Sequence, residues 1–313
     1  MVVEIIHIYH DKLNQVNDEY AVAIGNFDGI HKGHREVIKK AVKLAKTKNL
    51  KASVMCFDIT PRQIINQIDN YYVLKSFKQK KELLESLGIE VLFLIHFNNI
   101  IKDLSATEFI EKMIIKNNIK YLICGFDFAF GKNKTGNVQT LQGFSQFQTI
   151  ILPRFEINKE KVSSTLIHEL LANGEIVKAN ELLVKEYSII GKVIAGNQKG
   201  KPMGFPTANI LPSVNYRILQ SGVYATKVIV KGKEYYGMTN IGHNPTFNFS
   251  TNTSIETNIF NFDEDIYGET IEVIFIKYLR KERIFENVTD LIKQLNTDKE
   301  AIIKFFSEEN NII

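Results

Sequence analysis

Apolar positions in the first half of the chain fall into short runs separated by stretches of helical period. Ala21 to Ile24, Ala52 to Phe57, Ile89 to Ile95 and Tyr121 to Cys124 have the length and density of buried strands. Between the first two, Val37, Ile38, Ala41, Val42, Leu44 and Ala45 share one face of a helix predicted from about His31 to Lys48. Further helices are predicted near Lys75 to Leu87, ending at Gly88, and over Ser105 to Asn117, where Ser105 and Glu108 form a capping-box pair. Strands alternating with amphipathic helices predict a parallel sheet covered on both faces, with ligands beyond the carboxyl ends of the strands.

A helix from Ile176 to Leu183 leads to Tyr187, and there the pattern changes. Short runs now alternate with Gly, Pro and Asn turns: Ile189 to Ile194, Gly222 to Val230, Glu234 to Asn240, Ser254 to Phe260 and Thr270 to Leu279. Regularly spaced strands of this kind predict an antiparallel sheet or small barrel. Asp290 to Phe306 reads as an amphipathic helix that covers it. The expected fold is therefore α/β, with a Rossmann-like parallel-sheet domain over residues 1–185 and an antiparallel barrel with a terminal helix over residues 186–313.

Composition adds limits. A chain of 313 residues with 44% apolar and 24% charged positions suits two soluble globular domains. A formal net charge of +4 suits anionic small substrates and is too mild for nucleic acid. The lysines of the first helix are spread around it without interleaved aromatics, as on a solvated face. Cys56 and Cys124 lie in apolar runs, so buried free thiols and a reducing cytoplasm are expected. The N-terminus lacks a basic region and a cleavage site, and no run approaches the ~20 residues of a membrane span. A monomer or weak homo-oligomer without membrane or nucleic-acid partners is expected.

The chemistry concentrates in four places. The first apolar strand breaks at Gly25-Asn26-Phe27-Asp28-Gly29, and a helix begins at His31. A strand, a glycine turn and a helix N-terminus together make a phosphate cradle, because orphan N–H groups point outward there. His31 and His34 share one face of the first helical turn, where two neutral donors would stabilise a phosphoryl group during transfer. Asn26 stands in the glycine turn, beside the spot where a phosphate would sit. The loop Gly125 to Gly136 carries Phe126, Asp127 and Phe128, whose rings suit either stacking on a flat ligand or plugging the core; Lys132 and Lys134 could meet phosphates. Ser163, Ser164 and Thr165 open a helix with ordinary N-cap chemistry. In the second half, Gly191, Gly196, Gly200 and Gly204 allow close backbone approach to phosphates. Thr207 and Asn209, two apart in an extended segment, face the same way and offer hard oxygens suited to Mg²⁺.

The string Gly25-Asn-Phe-Asp-Gly-Ile-His-Lys-Gly-His34 resembles the nucleotide-binding motif of the nucleotidylyltransferase superfamily. Its version here is that of prokaryotic FAD synthetases, the bifunctional riboflavin kinase/FMN adenylyltransferases. Gly200-Lys-Pro-Met-Gly-Phe-Pro206-Thr-Ala-Asn209 resembles the riboflavin kinase signature. It stands in company with Ser221 to Tyr224, Gly237 to Phe247, Ile255 to Asn258, Tyr267-Gly268 and Arg280 to Phe285. The resemblance covers nearly the whole chain and implies two reactions. ATP phosphorylates riboflavin to FMN in the barrel, with Glu256 as general base and Mg²⁺ at Thr207 and Asn209. FMN then takes the adenylyl group of ATP in the first domain to give FAD and pyrophosphate, with His31 and His34 at the transferred phosphate. The resemblance further implies binding roles for Phe126, Asp127, Phe128, Ser163, Ser164, Thr165, Lys201, Asn240 and Arg280. The sequence departs from the pattern at His168, where an arginine is expected, at Leu166, at Phe57 to Pro61, and mildly at Lys201. The alternative left open is a riboflavin kinase whose first domain binds nucleotide without efficient catalysis.

Overall fold

The computed structural model describes residues 2–10, 18–68, 71–196, 200–243 and 253–310. Contacts divide the chain into two units, residues 1–71 with 77–163, and residues 72–76 with 164–313.

The first unit holds β1 (Glu4–Ile8), β2 (Tyr20–Ile24), β3 (Lys51–Phe57), β4 (Val91–Ile95), β5 (Ile119–Gly125) and β6 (Gln148–Leu152) in one six-stranded sheet ordered β1-β4-β3-β2-β5-β6. All of its pairings are parallel. Every residue of β2 and β4 is buried, which is why these strands read as unbroken apolar runs. Helix α1 (Lys32–Lys48) follows β2, packs Val37, Ile38, Ala41 and Ala45 inward, and ends at left-handed Asn49. Helices α2 (Pro61–Ile65) and α3 (Phe77–Ser86) cross from β3 to β4, and α4 (Asn99–Lys102) and α5 (Ala106–Phe109) follow β4. The Ser105/Glu108 capping box is formed as the sequence implies, but the helix passes into a π turn at Ile110–Ile114. Helix α6 (Val138–Gln142) precedes β6, and a short hairpin of β7 (Glu156–Ile157) and β8 (Glu160–Lys161) closes the unit.

The second unit opens with α7 (Ser164–Ala172) and α8 (Ile176–Leu182). Strands β9 (Ser188–Ile194), β10 (Ala208–Pro212), β11 (Gly222–Val230), β12 (Lys233–His243), β13 (Thr253–Ile259) and β14 (Thr270–Arg280) form a closed barrel ordered β10-β13-β12-β11-β14-β9, and α9 (Val288–Asn310) follows. Every pairing in the barrel is antiparallel. Inside, the fully buried hydroxyls of Thr226, Thr239 and Thr257 are linked at 2.9 and 3.0 Å, and Tyr224 meets Phe275 edge-on at 5.4 Å. On the alternate face, Val223, Ala225 and Met238 pack against Ile302 and Phe306 of α9. Both cysteines are buried and free.

Candidate functional site

The turn after β2 is strained and locked. Phe27, Gly29 and Ile30 have φ of 49°, 72° and 48°. Glycine takes that conformation freely, but a β-branched residue does not. Phe27 and Ile30 are held there by complete burial of their side chains, 1% and 0% exposed. The turn exposes Asn26, whose carbonyl accepts a hydrogen bond from Lys80 of α3 at 3.3 Å.

His31 is the N-cap of α1. Its Nδ1 accepts the backbone N–H of His34 at 3.1 Å, so the neutral ring carries its proton on Nε2. The two imidazoles stack with centroids 3.6 Å apart and planes 15° from parallel. Burial pushes His31 down to about 4, against the opposing pull of Asp28 and then Asp127. Burial, and next the His31 ring, holds His34 well below the usual histidine range. Both rings are therefore neutral at pH 7. The Nδ1 of His34 is shielded from solvent and has no hydrogen-bond partner among the described residues.

The loop after β5 contributes to the same neighbourhood, since Asp127 and Lys161 both act on the titration of His31. Lys161 donates to Asp127 at 2.5 Å and stands 5.2 Å from the centre of the Phe126 ring. The three loop phenylalanines divide between the two readings: Phe126 is exposed, Phe128 half-buried and Phe130 buried in the core, with Phe128 stacked on Phe130 at 5.5 Å. Lys132 is paired with Asp103 at 3.1 Å. Ser163 precedes α7, and Ser164, Thr165 and His168 lie within it, in the segment grouped with the second unit. The carbonyl of His168 accepts from the Nε–H of Arg217 at 3.2 Å.

In the barrel, strand register assembles the polar residues that the sequence singled out. Asn209 lies directly opposite Glu256, and Glu256 directly opposite Asn240. Opposed residues project to one face, and Val223, opposite Asn240, places that face on the side where α9 packs. Thr207 stands two positions before Asn209, just ahead of β10, and the adjoining Pro206 carbonyl accepts from the Asn258 amide at 2.6 Å. Gly196 runs so close that a Cβ there would stand 2.1 Å from Nδ2 of Asn209. The turn holding Gly200, Lys201 and Gly204 is closed by the Phe205 N–H donating to the Gly200 carbonyl at 3.0 Å. Asn240 donates to Glu282 at 3.1 Å. Arg280 is bound to Asp298 of α9 through Nε and Nη2, at 2.9 and 2.6 Å to Oδ2. Within the Gly237 to Phe247 motif, residues 244–247 lie outside the described residues.

Lys80, Lys161 and Asp298 are neighbours of the candidate residues that sequence reasoning missed. Each is an isolated polar residue that acquires its neighbours only through folding. Among the described residues no three His, Cys, Asp or Glu side chains are grouped as a metal site. Thr207 and Asn209 offer a hydroxyl and an amide oxygen, a donor set that fits a Mg²⁺ ion completed by substrate phosphates rather than an all-protein cage.

A parallel sheet with paired neutral imidazoles at the turn after β2, followed by a closed barrel with Asn209 opposite Glu256, suits a two-domain nucleotide-dependent transferase. The FAD synthetase family model matches residues 13–166 and the riboflavin kinase model residues 183–306. The bifunctional riboflavin kinase/FMN adenylyltransferase of Bacillus subtilis (strain 168) is 35% identical over 310 residues, covering 96% of this chain and 98% of the relative. That of Haemophilus influenzae is 35% identical over 299 residues, with 94% and 96% covered. A solved structure described as a macrolide-efflux protein from Streptococcus pneumoniae superposes with a TM-score of 0.88 at 32% identity, covering 96% of this chain and 99% of that one. The chain belongs to the bifunctional riboflavin kinase/FMN adenylyltransferase family. Among the described residues, no helix is long and apolar enough to cross a membrane.

Proposed function

We propose that residues 186–313 phosphorylate riboflavin with ATP, and that residues 1–185 then adenylylate the FMN produced. The observation that carries the kinase half is the register that aligns Asn209, Glu256 and Asn240. Glu256 accepts the proton of the attacking primary hydroxyl of riboflavin. Thr207 and Asn209 would hold Mg²⁺, which would neutralise charge on the ATP phosphates. Gly196, Gly200, Lys201, Gly204 and Pro206 line the phosphate path, and Asn240 and Arg280 brace its far side.

The adenylyl half rests on the His31/His34 pair. An FMN phosphate oxygen attacks the α-phosphorus of ATP in line and pyrophosphate leaves. The Nε2–H of His31 donates to the charged oxygens, and His34, whose Nδ1 is buried without a partner among the described residues, takes one with the ligand. Neutral donors suit this task, because a cation here would bind ATP and the transition state alike. Gly25, Asn26, Phe27, Asp28 and Gly29 shape the cradle. Phe126, Asp127 and Phe128 hold the flavin, and Ser163, Ser164, Thr165 and His168 the pyrophosphate end. The protein acts in the cytoplasm as a monomer or weak homo-oligomer, without nucleic acid.

The test is incubation with riboflavin, ATP and Mg²⁺ while FMN and FAD are followed separately. Both flavins should form, FMN first. FMN accumulating without FAD would favour a kinase with a non-catalytic first domain, and no FMN would refute the kinase assignment.

A further inference from the structure

The barrel is closed, yet one of its seams is open. Strands β10 and β13 pair only at Ala208↔Thr257 and Asn209↔Glu256. Beyond that row, among the described strands, the register continues for Ile210, Leu211 and Pro212 with β9 and for Thr253, Ser254 and Ile255 with β12, but not between β10 and β13. Pro212 has no N–H to offer a neighbour. A cavity of about 110 Å³ fills the resulting gap, lined by Asn209, Ile210, Ile255, Tyr216 and Tyr72 among others.

Tyr72 comes from a five-residue strap far upstream of the barrel in sequence. The strap is an integral part of this unit. The N–H of Val73 donates to the Asn215 carbonyl and the N–H of Arg217 to the Val73 carbonyl, both at 2.9 Å, on either side of buried Tyr216. Leu74 is fully buried, and the buried ammonium of Lys75 donates to the Glu186 carbonyl at 3.2 Å. These ties leave the Tyr72 ring little freedom, and the Arg217 guanidinium stands 6.0 Å from its centre.

The open seam begins at the row that carries Asn209 and Glu256. Paired on its β9 side alone, the end of β10 needs another support on the β13 side to keep Asn209 in register. We propose that Tyr72 is a positioning residue for phosphoryl transfer in the barrel, its strapped ring walling the seam and fixing Asn209 opposite Glu256. A residue outside the segment that matches the riboflavin kinase model, 183–306, thus conditions the kinase reaction. The inference rests on the kinase reading of the barrel.

The experiment uses the full chain with Tyr72→Ala. Riboflavin phosphorylation is measured for kcat and KM, FMN adenylylation is measured on the same preparation, and backbone hydrogen exchange is read over residues 208–212. The expected result is a fall of tenfold or more in kinase kcat, adenylyl transfer within twofold of the parent, and faster exchange over 208–212. Tyr72→Phe, which keeps the ring, should restore both kinase rate and exchange protection. Kinase turnover within twofold of the parent, unchanged exchange over 208–212, or a parallel fall in both reactions would overturn the proposal. If the alanine variant does not fold, Tyr72→Leu is judged by the same three readings. A parent chain that forms no FMN would instead refute the kinase reading itself.

Discussion

The proposed adenylyl site gives His31 two tasks that a single substitution can separate. Its Nδ1 caps α1 by accepting the His34 N–H at 3.1 Å, and its Nε2–H remains for the transferred phosphate. Asparagine is also a good N-cap acceptor, so His31→Asn should keep the cap while losing the distal donor and the ring stacked on His34. Loss of that buried stack should cost about 0.5–1.5 kcal/mol of stability. Loss of one preorganised donor to a developing oxyanion costs ~2.7–4 kcal/mol, which corresponds to a fall of about 10²–10³ in FMN adenylylation. His31→Ala removes the cap as well and should cost a further ~1 kcal/mol of stability. The assay follows FAD formation from FMN and ATP beside urea unfolding, with riboflavin phosphorylation as internal control. If His31→Asn kept adenylyl transfer within threefold of the parent, the imidazole would be a helix cap and nothing more.

Glu256→Gln should lower riboflavin phosphorylation by about 10²–10⁴ while FMN adenylylation persists, as two separate product assays would show. His168→Arg supplies a bidentate phosphate ligand and should raise adenylyl turnover; an unchanged or lower rate of FAD formation would refute that role. Asp298→Ala leaves the mostly buried Arg280 guanidinium unpaired and should destabilise the second unit by about 3–5 kcal/mol, whereas Asp298→Leu with Arg280→Met should be near neutral in chemical denaturation. Because burial holds His31 at about 4 against an ordinary 6.5, the unfolded chain binds the extra proton in between. That stability is present in full above pH 6.5 and lost as pH falls towards 4, roughly 3 kcal/mol at most, which a pH series of unfolding curves in parent and His31→Asn would measure.

Most of the architecture was legible because both periods are strong. Fully buried β2 and β4 read as unbroken apolar runs, and five of the six barrel strands agree with their predicted limits to within a few residues, while β10 was read only as an extended segment around Thr207 and Asn209. Strand β1 escaped notice: it is an edge strand of mixed exposure whose partner, β4, is remote in sequence. The predicted helix at Lys75 begins instead at Phe77, since Tyr72 to Ser76 are drawn into the barrel unit by hydrogen bonds that no local pattern announces. Bringing Asn209 and Glu256 together was implied only by the family resemblance and is supplied physically by strand register. The resemblance gives Arg280 a binding role, but its partner Asp298 emerges only when α9 docks.

The buried left-handed residues at the first cradle have a consequence for heat inactivation. Phe27 and Ile30 keep their φ of 49° and 48° only while tight packing compels them. Modest loosening of that packing would let both relax to ordinary backbone angles and spoil the anion pocket without unravelling the sheet. FAD production should therefore fade at temperatures where the domain still retains its circular dichroism.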